Sequence, residues 1–137
     1  MSPVAGDSLK PLRIACVSPE GMKSWAKFLR DPNPIHLDPK AVLAKGLGDR
    51  VINQGPANLA YVISMLQAAL PGAHLETLDV RYVDNVFGGE AVEASGKVLE
   101  AHMQADTMRM TCEILLRVEG RGPVITGTAV LELAVVR

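Results

Sequence analysis

The fold depends on residues 55–72, which read GPANLAYVISMLQAALPG. The stretch opens on Gly-Pro and closes on Pro-Gly, which predicts a helix with proline in its first turn. No formally charged side chain occurs from Val51 to Leu75. A helix that is apolar or neutral on all faces is buried on most sides, and roughly fifteen residues span about 22 Å, too short for a membrane span. Its most apolar face comprises Leu59, Val62, Ile63, Leu66 and Leu70.

The chain that follows this helix alternates with the period of a β-strand. The clearest case is residues 108–118, where the apolar positions are Met108, Met110, Cys112, Ile114, Leu116 and Val118. Residues 77–82, 92–98 and 123–136 alternate in a similar way, with Leu78, Val80 and Tyr82 on the apolar side of the first. Turns are expected at 88–89, 104–106 and 120–123. One buried helix followed by an antiparallel meander predicts an α+β fold in which the sheet curls around the helix.

Shorter elements precede the central helix. Residues 12–17 alternate well enough for a short strand. Ser18 is expected to cap a helix that starts at Pro19, with Trp25 packing in the core. A second short helix is expected over residues 40–45.

Residues 29–39 lie between these two helices and read LRDPNPIHLDP. Three prolines in eleven residues favour a stiff, irregular loop, because proline fixes its own φ and disfavours helix at the residue before it. Asp31 and His36 project from this loop and are candidates for a general acid/base pair. The alternative is a proline-rich surface turn in which Asp and Asn side chains cap their own backbone.

Composition limits the class of protein. The 137 residues are 48% hydrophobic and 21% charged with a net charge of −1, as expected for one domain, residues 1–137. Nothing favours nucleic acid or an anionic membrane as a partner. The start of the chain lacks a signal-peptide pattern, and Cys16 and Cys112 are isolated thiols without metal spacing. Both are expected to be small core residues in a reduced cytoplasm, and no metal site is expected.

The motif Asp31-x-Asn33-Pro34-Ile35-His36, followed by Asp38, resembles the signature of the MaoC-like hydratases, the R-specific enoyl-CoA hydratases of hot-dog fold. The family continues with an apolar residue, a polar pair and a glycine that opens a long buried helix. Here that continuation reads VINQGP over residues 51–56, and residues 81–90 are similar to the family's strand-turn-strand segment. The resemblance extends from about Ser18 to the end of the chain and implies a hot-dog fold.

The resemblance also implies an activity. It is the interconversion of a trans-2-enoyl thioester and a (R)-3-hydroxyacyl thioester of coenzyme A or acyl carrier protein. Asp31 and His36 would share one water, and the backbone N–H of Gly55 would bind the thioester carbonyl. Asn33, Asn53, Gln54 and Pro56 complete the candidate substrate site, with Asn33 expected to support the loop backbone. No cofactor is expected, since coenzyme A or phosphopantetheine is part of the substrate.

The chain departs from the family pattern at several positions. Leu29-Arg30 replaces small residues, Gln54 replaces a common His, Pro56 replaces a residue with an N–H, and Asp84 replaces a Pro. Arg30 is expected to weaken the adjacent Asp31 as a base.

Two other functions remain open. A hot-dog thioesterase usually carries a carboxylate on or near the long helix, and residues 56–72 contain none. The chain could instead be a non-catalytic partner subunit that binds thioester in a heteromeric dehydratase. In the family the acyl tunnel lies between two hot-dog domains, so a homodimer or higher homo-oligomer is expected, with acyl carrier protein as a further candidate partner.

Overall fold

Five antiparallel strands form one sheet in the computed structural model, which describes residues 2–135. The strands are β1 (Leu12–Ile14), β2 (His74–Tyr82), β3 (Val92–Gln104), β4 (Thr107–Val118) and β5 (Gly122–Ala134). Their order across the sheet is β1-β3-β4-β5-β2. The helices are α1 (Pro19–Leu29), α2 (Pro39–Ala44) and α3 (Gly55–Ala69), and a 3₁₀ turn occupies Pro34–His36. The predicted α+β class and central helix are confirmed.

The long helix α3 packs against β1, β3 and β4. The side chains of Val62, Met65 and Leu66 are fully buried in this contact. The expectation of burial on most sides is only partly right: Leu59 and Ile63 are half-buried, and the exposed residues of α3 are Pro56, Ser64, Gln67 and Ala68. In a single chain the sheet covers one side of the helix.

Strand β4 lies between β3 and β5, and its predicted apolar face is confirmed. All six even-numbered residues from Met108 to Val118 are buried. The register shifts by one residue at three places, between 75 and 77, 98 and 100, and 116 and 117. Such irregularities bend and twist a strand, which helps the sheet to curl over α3.

Within the described part of the chain, β2 is an edge strand that pairs with β5 alone. Its predicted inward residues Leu78 and Val80 are therefore only half-buried, and Tyr82 is 51% exposed. Strand β5 ends at Ala134, and the predicted last residue of this strand, residue 136, lies outside the described residues.

The short elements begin where the sequence predicts. The Ser18 hydroxyl accepts a hydrogen bond from Gly21 N at 3.2 Å, and Asp38 caps α2 through Lys40 N at 2.9 Å. Asparagine at the second cap would serve equally well. No helix in the described part of the chain is long and apolar enough to cross a membrane.

Of three side chains predicted to lie in the core, one does. Cys112 is buried in β4, as expected, but Cys16 is exposed beyond the end of the short β1, so its assignment to the core is wrong. The core assignment of Trp25 is also wrong. Its ring is half-buried and stands edge-on to Phe28, which is 79% exposed, on the outer side of α1.

Candidate active site

The loop after α1 is held by its own polar side chains. Arg30 ends the helix in a left-handed conformation, with φ of 53°, and Asp31 N donates to Ala26 O at 2.9 Å. Asp31 Oδ1 accepts from Asn33 N at 3.0 Å, and Asn33 Oδ1 accepts from Ile35 N at 3.3 Å. The loop is therefore a self-capped turn, as the alternative interpretation has it. Those same bonds fix where Asp31 points, and Asn33 has the supporting position expected for it.

His36 is the most buried polar side chain of this loop, with 9% of its surface exposed. Its Nδ1 lies 2.6 Å from Ile52 O. Because a carbonyl oxygen can only accept, Nδ1 carries the hydrogen, and in a neutral ring Nε2 carries the lone pair. Nε2 lies 3.3 Å from Asp31 Oδ2. The backbone thus fixes the tautomer that leaves Nε2 available as a base beside a carboxylate.

Residues 51–53 connect this pair to the start of α3. Ile52 N donates to Ile35 O at 2.9 Å on one side, and Asn53 N donates to Val86 O at 2.7 Å on the other. The segment is therefore held between the 3₁₀ turn and the turn that follows β2. Gly55 begins α3 two residues later. These bonds bring the Asp31–His36 pair and the helix N-terminus to one end of the fold.

The N-terminus of α3 has unpaired donors. Gln54 occupies the cap position without a capping side-chain bond, and Asn58 N is the first amide to bond back, to Gln54 O at 3.1 Å. Pro56 has no N–H. The N–H groups of Gly55 and Ala57 donate to no residue within 2–135. Free N–H groups and the positive end of the helix dipole favour a negatively charged oxygen at this position.

Two amides behind the helix N-terminus bind each other. Asn53 Nδ2 donates to Asn58 Oδ1 at 2.7 Å, and both residues are buried. Burial raises the pKa of Tyr61, while a hydrogen bond with Asn53 acts in the opposite direction. Asn53 therefore ties the preceding segment to α3. Asn58 was not among the predicted site residues, although a single Asn in an otherwise apolar helix is a visible signal.

Gln54 is 1% exposed and faces the protein interior. Its Nε2 donates to Met22 O at 2.8 Å, which ties the start of α3 to α1. Its Oε1 is buried and has no hydrogen-bond partner among residues 2–135. A buried acceptor without a partner costs about 1–3 kcal/mol, so this amide is held at some expense to stability.

Tyr82, at the end of β2, is a second residue that the sequence did not identify as part of the site. A Cβ placed on Gly55 would lie 3.4 Å from Tyr82 Cε1 and 3.8 Å from its hydroxyl oxygen. The tyrosine ring therefore packs against the backbone where α3 begins. Pro56, the last predicted site residue, is exposed beside this contact.

The structure shows no direct interaction between Arg30 and Asp31. Arg30 is exposed and forms no ion pair with any residue in the described range. Within the same range, no group of three or more His, Cys, Asp or Glu side chains is placed to hold a metal ion.

A five-stranded antiparallel sheet curled against one long helix is the hot-dog arrangement. Residues 4–118 match the model of the MaoC-like domain. The chain belongs to this family of hydratases and dehydratases. A comparison with curated protein sequences found no match.

Several solved structures are similar to the chain along nearly its whole length. The (R)-hydratase from A. caviae involved in PHA biosynthesis has a TM-score of 0.84 at 24% identity, covering 96% of this chain and 98% of that one. A MaoC-like dehydratase from Rhodospirillum rubrum has a TM-score of 0.84 at 20% identity, covering 98% and 95%. A chain of the ChsH1–ChsH2 complex from Mycobacterium tuberculosis has a TM-score of 0.80 at 21% identity, covering 97% of this chain and 99% of that one. At these identities the similarity shows the fold.

Proposed function

We propose that the protein interconverts a trans-2-enoyl thioester and a (R)-3-hydroxyacyl thioester, carried on coenzyme A or acyl carrier protein. The observation that carries this proposal is the orientation of His36. Its Nδ1 is bound to Ile52 O, and its Nε2 faces Asp31 at 3.3 Å. The segment that supplies Ile52 O leads directly into the N-terminus of α3.

The first requirement of the reaction is polarisation of the thioester carbonyl, because negative charge builds on its oxygen as water attacks. Gly55 N–H is a fixed donor that no described residue uses. A preorganised donor of this kind is worth about 2.7–4 kcal/mol of transition-state stabilisation. The dipole of α3 acts in the same direction.

The second requirement is transfer of two protons. A water that hydrogen-bonds to both Asp31 and His36 gives one proton to the pair as its oxygen attacks the β-carbon. The pair then supplies one proton to the α-carbon. One proton enters and one leaves, so the pair ends the turnover in its starting state. A positive charge formed on His36 is stabilised by the carboxylate 3.3 Å away.

The reaction adds water without changing the oxidation level of the substrate, so it requires no redox cofactor. Coenzyme A or the phosphopantetheine arm of a carrier protein is then part of the substrate. A thioesterase is less well supported, since α3 contains no carboxylate. A silent subunit is less well supported, since both members of the pair are present and in contact.

The test is a set of substitutions in the loop, assayed on purified protein with enoyl thioesters of several chain lengths on both carriers. Asp31→Asn and His36→Gln should each lower the rate about 10²–10⁴-fold. Asn keeps an oxygen for the bond from Asn33 N, and Gln keeps a donor for Ile52 O, so the fold should persist. Since the two groups act on one water, the double variant should be little slower than either single one. The control is Asp38→Asn, which retains the helix cap and should not affect turnover.

Two outcomes would contradict the proposal in different ways. If the double variant lost the product of the two single losses, the two residues would act independently and not on a shared water. If folded wild-type protein turned over none of the thioesters, the chain would instead be a non-catalytic subunit.

A further inference from the structure

We infer that the hydroxyl of Tyr82 is a second hydrogen-bond donor to the thioester carbonyl, acting beside Gly55 N–H. The inference rests on the proposed function and adds a residue to the same site. Tyr82 lies in the segment 81–90 that resembles the family's strand-turn-strand segment, but that resemblance gives it no role. The inferred role follows from its position at the end of β2.

The contact with Gly55 places the hydroxyl at the helix N-terminus. Measured from the position of a Cβ on Gly55, the distances are 3.4 Å to Tyr82 Cε1, 3.5 Å to Cζ and 3.8 Å to the hydroxyl oxygen. The edge of the ring that carries the hydroxyl is therefore the edge against the glycine. A carbonyl oxygen bound to Gly55 N–H would lie in the same neighbourhood as this hydroxyl.

The first turn of α3 lacks a second accessible N–H donor, and the Tyr82 hydroxyl would take its place. In the first turn of α3, Pro56 has no N–H, and Ala57 is 0% exposed. Gly55, which is half-buried, supplies the one accessible amide of that turn. A carbonyl oxygen that gains negative charge is stabilised further by each additional fixed donor.

The hydroxyl of Tyr82 is free to bind a ligand. It forms no hydrogen bond with any described residue. Packing alone would be served equally by phenylalanine. Burial raises the pKa of Tyr82, so the phenol keeps its proton at neutral pH and remains a donor.

The experiment compares Tyr82→Phe with Val83→Ala, an exposed neighbour on the same segment. Tyr82→Phe keeps the ring and removes only the hydroxyl. We expect kcat to fall about 10–100-fold while KM changes less than about threefold, because the bond strengthens as charge builds on the oxygen. Val83→Ala should leave both constants unchanged. Thermal unfolding of both variants should match that of the wild type.

A spectroscopic measurement separates a bond from mere packing. A saturated acyl-CoA, which cannot react, is bound to each protein, and the infrared stretch of its thioester carbonyl is recorded. Donors at the oxygen lower this frequency, and Tyr82→Phe should shift it back toward the value in water.

An unchanged kcat together with an unchanged carbonyl frequency in Tyr82→Phe would overturn the inference. This failure is distinct from failure of the proposed function, in which the wild type itself shows no turnover with any enoyl thioester. In that case the infrared shift on bound thioester still decides whether Tyr82 donates.

Discussion

Arg30 occupies a backbone conformation that suits glycine better than any residue with a Cβ. Its φ of 53° and ψ of 42° are left-handed, and it is the residue that ends α1. The left-handed conformation costs a residue with a Cβ about 1–2 kcal/mol. Glycine avoids this cost, but it also stabilises the unfolded chain through its greater conformational entropy, which cancels part of the gain. Arg30→Gly should therefore raise the free energy of unfolding by about 0.5–1 kcal/mol, measured by urea denaturation. The rate of thioester turnover should not change, since Arg30 is exposed and has no ion pair among the described residues.

Arg30→Ala is the matched control, because alanine removes the charge and keeps the Cβ. Ala105 has a φ of 54° in the turn between β3 and β4, and Ala105→Gly should give a similar gain far from the loop. An equal gain from Arg30→Ala would mean that the charge of Arg30, and not its backbone, limits stability.

The candidate-site residues that the sequence predicts are those whose geometry is local. Asp31, Asn33 and His36 lie within six consecutive residues whose prolines and side-chain caps fix the loop. The contact between Tyr82 and Gly55 joins the end of a strand to the start of a helix. No spacing or periodicity encodes such a contact, so it became visible only in the folded chain.

At the level of elements, the turn between β2 and β3 is bound by Arg121, which lies in the turn between β4 and β5. The guanidinium pairs with Glu90 at 2.8 Å and with Asp84, and it donates to Asn85 O at 2.6 Å. The same turn supplies Val86 O, which binds Asn53 N next to the site. Asp84, which replaces a proline of the family pattern, thus takes part in an ionic anchor.

Glu90 gives this anchor a pH dependence. Burial alone would raise its pKa, but hydrogen bonds from Arg121 and Phe87 N and the charges of Arg121 and Arg50 outweigh that effect, so the pKa lies below the ordinary 4.5. A lowered pKa in the folded state adds stability that is present above pH 4.5 and is lost as the pH falls through the folded value. The melting temperature of the wild type should therefore decrease as the pH is lowered below 4.5, and that of Glu90→Gln should decrease less. Glu20→Gln, on the exposed surface of α1, is the control. If the melting temperature of Glu90→Gln depended on pH as strongly as that of the wild type, Glu90 would not be the source of the pH dependence.

Period-two patterns predicted strands well but predicted their burial only in the middle of the sheet. The pattern in β4 matches its burial residue by residue, because β4 lies between two strands and α3 packs on one of its faces. The same kind of pattern in β2 overestimates burial, because β2 is an edge strand. Strand order depends on pairing between distant segments, which alternation within one segment does not specify.

For the whole molecule, the exposed apolar surface predicts self-association. The three most exposed large apolar side chains are Phe28 at 79%, Leu43 at 65% and Val4 at 57%. The outer side of α3 adds half-buried Leu59 and Ile63. We expect light scattering at micromolar concentration to give the mass of a dimer or a multiple of it, and the melting temperature to rise with protein concentration. A monomer at all concentrations would remove the interface at which the acyl tunnel is expected.

The pairing of β2 with β5 also determines the order in which the chain can be completed during synthesis. Residues 74–82 leave the ribosome well before their partner, residues 122–134, and at typical elongation rates the delay is on the order of several seconds. In that interval β3 and β4 can pair as a hairpin, while β2 has unpaired backbone groups and α3 is only partly covered. Until its last strand is synthesised, a nascent chain of this protein therefore has an open sheet edge that can pair with another chain.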